Sequence, residues 1–565
     1  MKKHSSYFGL VVIGIFVLSA CQPSLWGVSS TPTPVLPIFL PTSTQIEPAP
    51  TDTAMQPPPT AVPIVDERPS LWAGAAAPPS LRDKFLEQGF QLTSERASAD
   101  LVLDLAQPTE ASPENSTWTF TLVAPFPTVI DGVSSQELLS TWNGSSFGPF
   151  SGIPLLMDQA TLAAFSALWD EPAPGAVRIV PSDELLDAAW TQMPAWAIVP
   201  FERVEPKWKV LTIDGQSPIQ KGFDPSVYPL IANYQLTCSG ECPAVTVFQN
   251  RDADKLATVV LTGVTALVRA TAATMERRGV LYPGEFVREI FREADILHIS
   301  NEVPFYSQCP TPNPVQPDLR FCSSPRYIEL LLDIGTDVVE LTGDHFADYG
   351  AGAMLETIQI YKDHDMQYYG GGLNLQDGRK PLLLEVNGNK LMFIGCNGKQ
   401  GFATATDTIP GAVQCDYDYI LPQIVVHRAQ GYLPIFTVQY FEFDTANATS
   451  QQMIDFRKPA EAGAVVVSGS QAHVPQVMEF HGGAFIHYGL GNLFFDQYNL
   501  YGSDIRQKGF ITRHIFYDGQ YLGVELIPTF LPDYARPRLM TPGERVNFLT
   551  EYFARSGWDF PQASQ

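Results

Sequence analysis

From about residue 68 to 230, short apolar runs alternate with amphipathic stretches, the pattern of an α/β domain. Residues 99–106 (ADLVLDLA), 117–126 (TWTFTLVAPF), 176–181 (AVRIVP), 195–201 (AWAIVPF) and 208–215 (WKVLTIDG) predict strands. Residues 134–144 (SSQELLSTWNG) and 182–193 (SDELLDAAWTQM) predict helices, each opened by a serine suited to cap the first turn. A second α/β segment starts near Leu256. Its buried-strand run, 257–268 (ATVVLTGVTALV), is followed by strand-like runs at 295–300, 337–343, 391–396, 423–427, 435–443, 464–469 and 485–495. Helical patterns at 284–294, 352–364 and 448–462 lie between them, so a layered α/β fold with function on the strand-end loops is expected.

The N-terminus follows a different pattern. Lys2 and Lys3 precede an apolar run at 7–20, too short to span a bilayer comfortably and of the length of a signal-peptide core. The run ends Leu18-Ser19-Ala20-Cys21, which resembles a bacterial lipobox, so residues 1–20 are expected to be a signal peptide and Cys21 the lipidated first residue of an extracytoplasmic, membrane-anchored lipoprotein. The Pro/Thr-rich stretch 21–66 favours extended chain and is expected to be a tether.

Composition narrows the classes further. The 565 residues are 45% hydrophobic, with 11% aromatic and 17% charged side chains, enough to build sizeable cores in two or more domains. A formal net charge of -25 argues against nucleic acid as a partner and against lying on anionic lipid. With Cys21 set aside, six of the seven cysteines remain, in an exported chain where disulfides persist. They fall in sequence-local pairs, Cys238 with Cys242, Cys309 with Cys322 and Cys396 with Cys415, although six cysteines allow about fifteen connectivities. Only the first pair has spacing suited to a thiolate metal site.

The candidate chemistry clusters at strand ends: Asn301-Glu302, Asp344-His345 with Asp348, Gln439 and Glu442, and Gln471 with His473. Oxygen and imidazole donors arriving from successive loops are what a hydrolytic metal centre requires. Each taken singly also fits a structural residue.

Two families are resembled. Residues 123–144, 193–218 and Tyr228-Pro229-Leu230 are similar to pieces of periplasmic solute-binding proteins of the phosphate or molybdate type, which implies a partial or single-lobe α/β domain over 67–231. From about 256 to 497 the chain resembles the CapA family of capsule or poly-γ-glutamate synthesis proteins. The blocks are ADILHISNEVPF, VVELTGDHFADYG, YYGGGLN with PLLLEVNGNKLMFIG, AGAVVVSGSQAHVPQ and FIHYGLGNLFFDQ, the last as a closing strand.

That resemblance implies a calcineurin-like metallophosphatase fold over 256–530, a layered α/β/β/α sandwich, with Glu302, Asp344, Gln439, Glu442, Gln471 and His473 as metal or substrate ligands. His345 and Asp344 become the catalytic candidates, and Arg269, Asn301 and Asn492 substrate contacts. The departures weaken a two-metal centre. Val264 stands where the family has a ligating aspartate, and Gln439 and Gln471 stand where it has histidines. The surviving donors could hold one divalent ion (Mn, Zn or Mg), or bind a polar substrate by hydrogen bonds with no metal.

The resemblance implies a surface-anchored component that makes, exports or anchors an anionic envelope polymer, alone or with its synthesis machinery. A metal-dependent hydrolase of phosphoesters or of polymer amide bonds is the alternative. A ligand sensor built on the N-terminal domain is a second. Because the chain is acidic, polymer contact would have to be local, through Arg269, Lys362, Arg379 or Lys380, or through a bridging cation.

Overall fold

The structure is a computed structural model that describes residues 68–106, 115–238, 246–399, 401, 403–497 and 502–558. Cys21, the expected signal peptide, the whole of the expected tether and Cys242 lie outside the described residues.

The N-terminal segment forms one mixed, nine-stranded sheet. The strand Ser116–Pro125 lies near its middle, flanked by Trp196–Pro200 and by Ile231–Cys238, both antiparallel to it. Trp118, Phe120, Leu138, Trp142, Phe165 and Trp196 fill its core. The helix Ser135–Trp142 begins as expected, with Ser134 and Glu137 forming a reciprocal capping box. The second predicted helix is shorter, Leu185–Thr191, and starts without a side-chain cap, so Ser182 does not open it. The run 208–215 divides into two short strands, Trp208–Val210 and Thr212–Ile213.

The C-terminal segment contains two larger sheets. In the first, the parallel strands Gln367–Tyr369, Val338–Glu340, Ile296–Asn301 and Leu256–Thr265 continue into the antiparallel pair Lys508–Tyr517 and Gln520–Phe530. In the second, Asn389–Asn397, Leu433–Gln439, Val466–Ser468 and Ala484–His487 run parallel, with Leu382–Val386 and Met478–His481 antiparallel at the edges.

The two sheets pack face to face. Val259, Leu261, Ile296 and Val338 of the first share one core with Phe393, Ile435, Val466 and Phe485 of the second. Each such side chain taken out of water contributes on the order of 1.5–3 kcal/mol. The outer face of the first sheet is covered by the helices Arg269–Arg278 and Gly350–Asp363, through Met275, Met354 and Ile358. The outer face of the second is covered by Tyr417–Ala429 and Ser450–Glu461, through Ile420, Ile424 and Phe456. The layers are therefore α/β/β/α, as expected. The C-terminal helix Pro542–Arg555 adds Phe548, Leu549, Tyr552 and Phe553 to the inter-sheet core.

Two expectations change. Residues 423–427 (QIVVH) are not a strand but the end of the helix Tyr417–Ala429, because Ile420 and Ile424 sit one turn apart on its buried face while Val425 and Val426 face solvent. The run 485–495 is not one closing strand. Ala484–His487 belongs to the second sheet, whereas Asn492–Phe494 pairs with Leu256–Thr265 in the first. Gly491, with φ +81°, turns the chain between the two.

Two disulfides join the expected partners, Cys309–Cys322 and Cys396–Cys415. Cys238 is also disulfide-bonded. Among the described residues no helix is long and apolar enough to cross a membrane.

Candidate functional site at the shared strand ends

Parallel strands in both sheets end on the same side, and the polar residues that follow them converge. Glu302 follows the strand ending in Asn301; Asp344 and His345 follow the one ending in Glu340. From the second sheet come Gln439 at a strand terminus, Glu442 three residues on, and Gln471 and His473 after Ser468. Close backbone approach draws the loops together. A Cβ at Gly343 would lie 2.5 Å from the Glu302 carbonyl oxygen, and one at Gly263 would lie 2.0 Å from that of Gly491, so neither position admits a side chain.

The donors form two overlapping groups, Glu302 with Glu442 and His473, and Glu302 with Asp344 and His345. Within each group the ligand atoms lie within 4.8 Å of one another. His473 Nε2 is 3.7 Å from Glu302 Oε1 and 3.6 Å from Glu442 Oε2. Its Nδ1 donates to Asn492 Oδ1 at 2.9 Å, which turns the Nε2 lone pair toward the carboxylates. His345 Nδ1 donates to Asp348 Oδ2 at 2.7 Å, and Asp348 Oδ2 also accepts the Phe321 N–H.

Burial sets the electrostatics. Glu302 is 1% exposed, and desolvation, with the Asp344 and Glu442 charges adding, pushes its carboxyl up to about 8. Burial also opposes charge on His345, but the Asp348 hydrogen bond and the neighbouring carboxylates outweigh it and raise the imidazole to about 9. Burial works against Asp344 and Glu442 too; Lys399, with His345 at the former and His473 at the latter, nevertheless holds both below their ordinary values. His473 is lowered, chiefly by burial.

Both Glu302 oxygens, both side-chain polar atoms of Gln471 and Asn301 Oδ1 are buried and take no hydrogen bond among the described residues. Buried unpaired polar atoms of this kind are costly and mark a place for a ligand. A divalent ion suits them: Glu302, Glu442 and His473 would hold it through carboxylate oxygen and imidazole nitrogen.

Other expected residues take supporting positions. Gln439 donates to Asp344 Oδ1 at 2.6 Å and accepts from Asn397 at 3.1 Å, so its amide fixes a carboxylate. Asn301 donates to the Val303 carbonyl and to the Tyr361 hydroxyl. Asn492 orients His473. Arg269 is engaged by Asp496, at 2.6 Å and 3.0 Å, and its left-handed backbone (φ +44°) is held by the Asp496 bond to the Ala270 N–H. Val264 is fully buried in an apolar cluster with Val303, Phe321 and Phe495.

Lys399 is the residue that sequence reasoning missed. Its ammonium donates to Asp344 Oδ2 at 2.8 Å and also to Glu442 Oε1. It lies two residues beyond the strand Asn389–Asn397, so the strand-end rule that found the other donors would also have found it.

Two face-to-face sheets covered by helices, with carboxylates and imidazoles gathered at their common ends, make an α/β/β/α domain with one polar site at its strand-end edge. Residues 258–497 match the family model of the bacterial capsule synthesis protein PGA_cap. It is similar to the PGA biosynthesis protein CapA of Bacillus subtilis (strain 168), 27% identical over 282 residues, 48% of this chain and 71% of that protein. Among solved structures, a 5'-nucleotidase precursor from Thermus thermophilus is 14% identical with a TM-score of 0.29, covering 54% of this chain and 58% of that one. An ABC-type phosphate transport receptor from Vibrio cholerae is 12% identical with a TM-score of 0.26, covering 31% and 88%.

Proposed function

We propose that this protein is an envelope component that takes part in the synthesis, export or anchoring of an anionic polymer of the capsule or poly-γ-glutamate kind. The observation that carries this reading is the capsule-synthesis match over residues 258–497, the same stretch that supplies every donor of the strand-end cluster. The cluster would serve the polymer as a cation-assisted carboxylate or phosphate site. A bound divalent ion supplies positive charge that an acidic chain otherwise lacks. Glu302, Glu442 and His473 hold that ion, and Asn492 keeps the His473 ring in place. Deleting the gene in its own host tests the reading: cell-bound anionic polymer is expected to fall and to return with the wild-type gene. An unchanged amount would refute it.

A hydrolytic role is the second reading, favoured by His345, an imidazole oriented by Asp348 and facing Glu302 and Asp344. His345 would donate a proton to a leaving group on a phosphoester or amide bond. Mn²⁺- or Zn²⁺-dependent turnover of phosphoester or γ-glutamyl substrates, abolished by His345→Ala, is its signature. Attachment to the membrane through Cys21 is supported by the sequence Leu18-Ser19-Ala20-Cys21. It requires that Cys21→Ala lose palmitate labelling.

A further inference from the structure

The two flanks of the cluster differ. On the flank between Asp344 and Glu442 the oxygens are taken: Asp344 Oδ1 accepts from Gln439 and Oδ2 from Lys399, and Glu442 Oε1 accepts from the same ammonium. Lys399 is 9% exposed, so its charge is placed inside the site and not in solvent. On the other flank, Glu302 keeps both oxygens free of hydrogen bonds among the described residues, and Glu442 Oε2 and His473 Nε2 face it.

We infer that the Lys399 ammonium stands permanently in one of the two cation positions of this strand-end site, and that the chain therefore binds a single divalent ion, between Glu302, Glu442 and His473. A second divalent ion set beside the Lys399 ammonium would meet a like charge at close range, where both Asp344 oxygens and Glu442 Oε1 are already taken. Lys399 is thus a positioning residue. It bridges Asp344 and Glu442 as a metal would, but cannot polarise a water or accept a lone pair.

The inference rests on the cluster being a cation site and not on which polymer the protein serves. The test is Mn²⁺ stoichiometry of the purified full chain by elemental analysis, with electron paramagnetic resonance of the same samples. Wild type is expected to hold one Mn²⁺ per chain with an uncoupled six-line spectrum. Lys399→Ala is expected to hold two with a spin-coupled spectrum, and Lys399→Arg to remain at one. A spin-coupled pair in the wild type overturns the inference whether or not any variant folds, and leaves the cation site standing. Equal stoichiometry in wild type and a folded Lys399→Ala overturns it as well. No Mn²⁺ in any sample overturns both the inference and the cation site.

Discussion

His514 makes the stability of the fold depend on pH in a way that can be isolated. It sits between the sheets, 1% exposed, with Nδ1 against the Tyr521 hydroxyl at 2.9 Å and Nε2 against Thr512 at 3.1 Å. Burial, with His487 nearby, lowers its value from 6.5 to about 3. The folded state therefore keeps the ring neutral while the unfolded chain protonates it below about pH 6.5. A depressed folded value means stability is full above the unfolded value and is lost as pH falls through the window from 6.5 to 3. One proton is worth about 1.4 kcal/mol per pH unit inside that window, so between pH 7 and pH 5 this ring costs about 2 kcal/mol.

His514→Gln can still meet one of the two hydroxyls and removes the titration. The assay is unfolding in urea at pH 7 and pH 5, followed by tryptophan fluorescence, for variant and wild type together. The comparison matters because His298 and His487, also lowered to about 3, add their own losses, while the raised carboxyls Glu340 and Glu525 act in the opposite sense. The variant is expected to lose about 2 kcal/mol less than wild type over that interval. An identical loss in both would refute the placement of a neutral imidazole in the core.

Two further outcomes follow from the site geometry. Asn492→Ala removes the acceptor that orients His473, and is expected to weaken Mn²⁺ binding about 10- to 100-fold in calorimetric titration without changing the fold. Gly263→Ala drives a Cβ to 2.0 Å from the Gly491 carbonyl oxygen, where two backbones meet, and is expected to lower stability by roughly 2 kcal/mol or more in thermal melts; Gly222→Ala, with open space at its Cβ, serves as the unaffected control.

Much of the layering was visible in the chain, because buried parallel strands are continuous apolar runs and the runs at 257–268, 295–300, 337–343, 391–396 and 464–469 coincide with observed strands. Where the pattern misled, the cause was local. QIVVH is apolar and β-branched yet helical, since only Ile424 of that run reaches the core and the preceding turn supplies Ile420. The run 485–495 is mostly apolar because both of its halves are buried, in different sheets, and hydrophobicity does not say which sheet a strand joins.

The sequence by itself determined the kinds of donor and their place after strands, which is why Glu302, Asp344, His345, Glu442 and His473 could be named from strand ends and family blocks alone. Only the tertiary structure decided which of those donors are free. The partners that occupy both oxygens of Asp344 and one of Glu442 come through Lys399, 55 and 43 residues away along the chain, and from Gln439 on the facing sheet. Hydrogen bonds across two packed sheets depend on how those sheets are set against each other, and no local pattern of residues carries that information. The same packing pairs Arg269 with Asp496, and it placed a fixed positive charge where the sequence suggested only a weakened metal site.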